Sequence, residues 1–161
     1  MRAASGLQRP RTALLLFLAA TLLTGMAAGF ATESGKEGWY EALAKPRWTP
    51  PDATFPTVWT VLYIAMAVAA WRVWRRTGWG SPALRLFWAQ LALNFAWSFL
   101  FFAWHEIGLA LLDAGLLFLA VAATAAFFQP IDRPAALLML PYLAWTGYAV
   151  ALNWAVWRMN G

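Results

Sequence analysis

Residues 84–128 read LRLFWAQLALNFAWSFLFFAWHEIGLALLDAGLLFLAVAATAAFF, two apolar runs (about Leu84 to Trp104 and about Ile107 to Phe128) separated only by His105-Glu106. A helix rising about 1.5 Å per residue needs about 20 apolar residues to cross a hydrocarbon core of about 30 Å. Each run is that long. Three further stretches of the same kind run from about Thr12 to Ala31, about Pro56 to Val73 and about Ala135 to Trp157. In hydrocarbon every backbone N–H and C=O must be satisfied inside the protein, which leaves helices or a closed barrel. None of the five runs shows the alternation of barrel strands. The reading is an all-α membrane protein: one domain over residues 1–161, a bundle of five transmembrane helices with a long loop between helices 1 and 2.

Composition agrees. Of 161 residues, 62% are hydrophobic and 12% charged, against about 45–50% and about 25% in soluble domains. So few charges cannot cover a water-soluble surface, which excludes a soluble enzyme domain, a disordered regulator and a nucleic-acid module. The net charge of +5 reflects few acids (7) rather than many bases (12). Cysteine is absent, so there is no disulfide framework and no thiolate ligand or nucleophile. Eight basic residues fall on one side of the spans (Arg2, Arg9, Arg11, Arg72, Arg75, Arg76, Arg85, Arg133) and four on the other (Lys36, Lys45, Arg47, Arg158). In an inner-type membrane the positive-inside rule then places the N-terminus in the cytoplasm and the long loop outside. A second reading of the first run is a cleaved signal peptide, with three arginines before Leu14–Leu23 and the small-residue string Ala28–Ala31 behind it.

Polar side chains within spans are costly and are functional candidates by default. Gln90, Asn94 and Ser98 fall on one face of span 3 at i, i+4 and i+8. Their alternative role is interhelical glue. Ala92 and Ala96 lie about 200° around the same helix and form a small-residue ridge suited to another protomer. Gly25-Met-Ala-Ala-Gly29 is a second close-packing candidate. In span 5, Tyr142, Trp145, Ala149 and Asn153 share a stripe, and Pro141 interrupts the helical ladder. Span 2 aligns Trp59, Tyr63, Met66 and Ala70. Tryptophan occurs 12 times. Trp71, Trp74, Trp88, Trp104, Trp154 and Trp157 lie near span ends, as interface belts require. Trp97 and Trp145 sit near mid-depth, which a belt does not explain. One account is bulky core. The other is a pocket of flat apolar faces with a few amides, suited to a planar ligand. Asp113, about two turns into span 4, wants a partner or takes a proton; the alternative is a snorkelling or hydrogen-bonded acid near the interface.

The loop motif is more specific: Trp39-Tyr40-Glu-Ala-Leu43-Ala-Lys45-Pro46-Arg-Trp48-Thr-Pro50-Pro51, then Phe55-Pro56-Thr-Val58-Trp59-Thr60-Val-Leu62-Tyr63. With Gln90-Leu-Ala-Leu-Asn94-Phe-Ala-Trp97-Ser98, Pro141-Tyr142-Leu-Ala-Trp145 and Ala149-Val-Ala-Leu-Asn153, it resembles the TspO/MBR family of tryptophan-rich sensory proteins and translocator proteins. The blocks recur in order over about residues 12–158. The resemblance implies a retained first helix, a homodimer, and a cavity lidded by the long loop. It implies ligands of the porphyrin or heme type, with sterols in animal members. The binding positions implied are Tyr40, Trp59, Asn94, Trp145, Ala149 and Asn153. The stripes add Tyr63, Trp97 and Tyr142. The sterol motif of animal members fails in its strict form, because Trp154 stands in the tyrosine place before Arg158. Leu109 stands where some animal members place a pocket tryptophan.

No nucleophile–base pair, metal cluster or phosphate loop is visible, and no cofactor is called for. His105, the only histidine, sits at a span end. Three functions are expected in turn. The first is a multi-pass membrane binder of tetrapyrroles such as protoporphyrin IX, sensing or moving them, in a bacterial cell envelope. The second is a light-driven porphyrin-degrading enzyme using Trp59 and Trp145. The third is a structural or regulatory membrane partner without a ligand.

Overall fold

The structure, a computed structural model, describes residues 10–161. Arg2 and Arg9 lie outside the described residues. Five helices account for most of the chain: α1 (Pro10–Gly35), α2 (Thr54–Thr77), α3 (Pro82–Ser98), α4 (Ile107–Phe128) and α5 (Arg133–Asn160). All five crossings, counting α3 with its extension, are long and apolar enough to traverse a bilayer. The fold is all-α and the protein is a multi-pass membrane protein. Two π-helical segments, absent from the sequence reading, extend α1 (Lys36–Tyr40) and α3 (Phe99–Ala103). They meet: a Cβ at Gly35 would run into the Phe102 carbonyl, so the end of α1 can press there only as glycine.

Local chemistry sets the helix ends. Gly78, at φ 73°, stops α2 in the left-handed region and returns its N–H to the Trp74 carbonyl at 2.7 Å. Pro82 opens α3 in the first helical turn. Asp132 caps α5 by accepting from the Ala135 N–H at 2.9 Å. The same carboxylate accepts from Arg72 Nε at 3.0 Å and Nη2 at 3.2 Å, and pairs with Arg76 Nε at 2.9 Å. The Asp132 side chain is 2% exposed. Burial alone would raise its pKa, but the hydrogen bonds from Arg72 and Ala135 and the two guanidinium charges hold it below the usual carboxylate value. One carboxylate thus ties α2 to α5. Beside it the Trp71 indole donates to the Pro10 carbonyl at 2.8 Å, tying in α1.

Lipid tails are as apolar as leucine, so helices associate in a membrane through close packing rather than water exclusion. Ala67, Ala69 and Ala70 of α2 and Ala110 of α4 are fully buried. Phe17 of α1, also fully buried, stacks on Trp79 (5.3 Å) and Trp88 (5.6 Å) and meets Phe87 edge-on at 5.9 Å. With Met66, Val73, Leu84, Val121, Phe128 and Met139 it fills the half of the bundle nearer the arginine-rich end. The other half has a smaller buried cluster around Phe101, Phe102, Ala110 and Val156 and encloses a cavity.

On α3, Gln90, Asn94 and Ser98 are all buried, whereas Ala92, Phe95 and Trp88 face outward. The helix therefore turns its polar face inward, as its spacing predicts. Three expectations need correction. Trp74 is 7% exposed, so it belongs to the core and not to an interface belt. Asp113 neither snorkels nor is fully bonded: it is 7% exposed and its Oδ2 has no partner among the described residues. In the Gly25–Gly29 pair only Gly25 is a close-packing position. A Cβ there would lie 2.5 Å from the Tyr63 ring, whereas nothing lies within 4 Å at Gly29.

Candidate functional site: a lidded aromatic cavity

The cavity has a volume of about 640 Å³ and is bounded by all five helices and the loop between α1 and α2, within the range of about 300–1,000 Å³ usual for small-molecule sites. Its walls are mostly apolar and aromatic. Trp59 of α2 and Trp145 of α5 meet edge to face, centroids 6.4 Å apart at 90°. Trp59 also stacks on Tyr63 at 5.5 Å, and Phe55 meets Trp145 edge-on at 5.9 Å. Trp97 stacks on Phe101 at 5.3 Å. These rings present flat faces and edges at several orientations around one space.

The amides of the stripes are already bonded to one another. The Tyr63 hydroxyl donates to Asn94 Oδ1 at 2.6 Å, and Asn94 Nδ2 donates to the Tyr142 hydroxyl at 3.0 Å. Higher up, Trp97 Nε1 donates to Asn153 Oδ1 at 3.0 Å and Asn153 Nδ2 to the Ile107 carbonyl at 3.1 Å. Two chains of hydrogen bonds thus fix side chains from α2, α3 and α5, the second tied to the backbone at the start of α4. What they leave to a guest is one amide N–H on each asparagine, spare acceptor capacity and ring faces.

The loop forms a lid pinned at several points. Asn160 near the end of α5 clamps Ala44 by both its amide groups, each at 2.9 Å. Tyr148 donates to the Trp48 carbonyl at 2.8 Å and meets the Trp48 ring at 5.6 Å. Trp39 stacks on His105 at 4.1 Å, and Tyr40 packs against Phe102 at 5.4 Å. Burial raises the pKa of the Tyr40 phenol, with a further push from the Asp52 charge. Lys36 pairs with Asp52 at 2.6 Å across the mouth, and that hydrogen bond raises the lysine pKa against the opposing pull of desolvation. Thr49 caps the turn by donating to the Pro46 carbonyl at 2.7 Å.

Of the nine expected binding positions, Tyr40, Trp59, Tyr63, Asn94, Trp97, Trp145, Ala149 and Asn153 lie on the cavity wall. Tyr142 does not. It is fully buried one layer behind and reaches the cavity only through Asn94. His105 is exposed and off the wall, as is Leu109 at 51% exposure. The wall also includes Lys36, Lys45 and Asp52, which helical periodicity could not place because they lie outside the spans.

Residues 13–158 match the family model described as TspO/MBR. The chain belongs to the TspO/MBR family. It is 42% identical over 126 residues to a translocator protein from Sus scrofa, covering 76% of this chain and 75% of that one. It is 36% identical over 151 residues to the tryptophan-rich protein TspO of Chlorobaculum tepidum, covering 91% and 95%. It is 40% identical over 146 residues to a tryptophan-rich sensory protein of Cereibacter sphaeroides, covering 90% and 91%. In this TspO/MBR chain, the lid motif and the three stripe motifs converge on the one cavity.

Proposed function

We propose that this TspO/MBR protein is a membrane binding protein for a planar, largely apolar tetrapyrrole such as protoporphyrin IX, which it senses or moves. The observation that carries this reading is the perpendicular Trp59–Trp145 pair over a hollow of about 640 Å³. A flat ring placed there meets one indole face-on and the other edge-on, the two arrangements that aromatic quadrupoles favour. The test is a titration of detergent-solubilised protein with protoporphyrin IX, heme and cholesterol, followed by tryptophan quenching. Saturable quenching by the porphyrin, weakened in Trp145→Ala and in Asn94→Ala, supports the reading. Binding unchanged in both variants overturns it.

A second reading, light-driven porphyrin breakdown, draws on the same two indoles, since both stand where an excited ring would contact them. Porphyrin absorbance followed under illumination separates the two. Loss no faster than in a Trp59→Phe control removes the enzymatic reading. The outward face of α3, with Ala92 exposed, is proposed as the surface for a homodimer.

A further inference from the structure

The charged side chains on the cavity wall, Glu33, Lys36, Lys45 and Asp52, all belong to its mouth. Their pairing is uneven. Lys36 is held by Asp52 at 2.6 Å. Lys45 Nζ donates to the backbone carbonyl of Tyr40 and lies 4.2 Å from the centroid of the Tyr40 ring. Both of these partners are neutral, and no carboxylate pairs with Lys45 among the described residues. An ammonium has three donors, so two of those on Lys45 remain for something else.

The depth of the cavity is lined by no charged side chain among the described residues. Asn94 and Asn153 each have one amide N–H committed, to Tyr142 and to Ile107, and keep one, and the Trp97 indole N–H is committed to Asn153. A carboxylate placed deep would lose its hydration and meet only neutral donors, which is costly. A ligand with an apolar plane and an anionic end has one low-energy orientation here: plane inward, anion at the mouth beside the lysines.

We propose that Lys45 anchors a carboxylate arm of the tetrapyrrole proposed above. Lys36 takes a second arm by exchanging Asp52 for it. This rests on the cavity reading above and specifies how its ligand is held.

The test uses two probes that share a ring system and differ in charge, protoporphyrin IX and its dimethyl ester. They are titrated by tryptophan quenching in neutral detergent at low salt. A charge-assisted hydrogen bond at a half-exposed site predicts that the wild type binds the free acid about tenfold tighter than the ester. Lys45→Gln should remove that preference by weakening acid binding alone, and Lys45→Arg should keep it. Asp52→Asn, which frees Lys36, should tighten acid binding a few-fold and leave the ester unchanged. An ester bound as tightly as the acid by the wild type overturns the anchor while leaving the cavity reading intact. So does a Lys45→Gln variant that weakens both probes equally. If neither probe binds saturably, the cavity reading falls and the anchor falls with it.

Discussion

Tyr63 and Tyr142 never touch a common ligand surface, yet one asparagine joins them: Asn94 accepts from the first at 2.6 Å and donates to the second at 3.0 Å. Tyr63 is on the cavity wall and Tyr142 behind it, so Asn94 sits between a residue that meets the guest and one that only holds the wall.

That division predicts different phenotypes for two conservative changes. Tyr142→Phe leaves a buried Asn94 donor unsatisfied and should cost about 1–3 kcal/mol of stability. It should read as a lower Tm in detergent, with only a small change in porphyrin affinity for the folded fraction. Tyr63→Phe removes a donor at the wall and should alter affinity as well. Equal effects of both on affinity would show that the two tyrosines do not play separate parts.

Trp145 meets Trp59 edge-on and Phe55 at 5.9 Å. Truncation to alanine removes a stacking face and the support for two neighbours. With aromatic pairs contributing about 0.5–1.5 kcal/mol each beyond burial, Trp145→Ala should weaken protoporphyrin IX binding by tenfold or more, on the order of two such pairs. Trp154→Ala, exposed at 52% and off the wall, should leave it unchanged. Quenching titrations of both variants decide this.

Gly35 and Gly29 offer a matched pair in one helix. Gly35→Ala drives a methyl into the Phe102 carbonyl, a backbone atom that cannot step aside, and Gly29→Ala meets open space. Overpacking of this kind costs about 1–3 kcal/mol, so Gly35→Ala should lower Tm. Gly29→Ala should be neutral or slightly stabilising. A thermal melt of each variant is sufficient.

Asp132 joins the cap of α5 to two arginines of α2. Its folded pKa is depressed below the unfolded value. Its stabilisation is therefore fully present above the unfolded carboxylate pKa of about 3.9 and is lost as pH falls through the lower folded value. Asp132→Ala should cost about 1–3 kcal/mol at neutral pH, from the lost cap and the broken pairs. The Tm gap to wild type should hold steady from about pH 8 to about pH 5 and narrow below about pH 4. A gap that widens on acidification would contradict this account.

Much of this was readable before any coordinates. Run length gives the five crossings, and the i, i+4, i+8 spacing of Gln90, Asn94 and Ser98 turns the right face of α3 inward. Periodicity fixes direction around a helix but not depth along the bundle. Tyr142 shares a stripe with Trp145 and Ala149, yet it lies one turn closer to the filled half and so falls behind the wall. Trp74 is near a span end like the belt tryptophans, but Trp79 of the following turn folds over it at 5.3 Å. The π-helical extensions have no pattern of their own in the sequence. The Lys36–Asp52 pair spans a loop, where helical spacing carries no information.

The packing around Phe17, Met66 and Phe128 has one more consequence. It makes the molecule a cup rather than a pipe. A molecule entering beneath the lid would meet a floor built by these packed residues. Vectorial delivery to the opposite side would require those floor residues to part, whereas storage, sensing or chemical conversion would not.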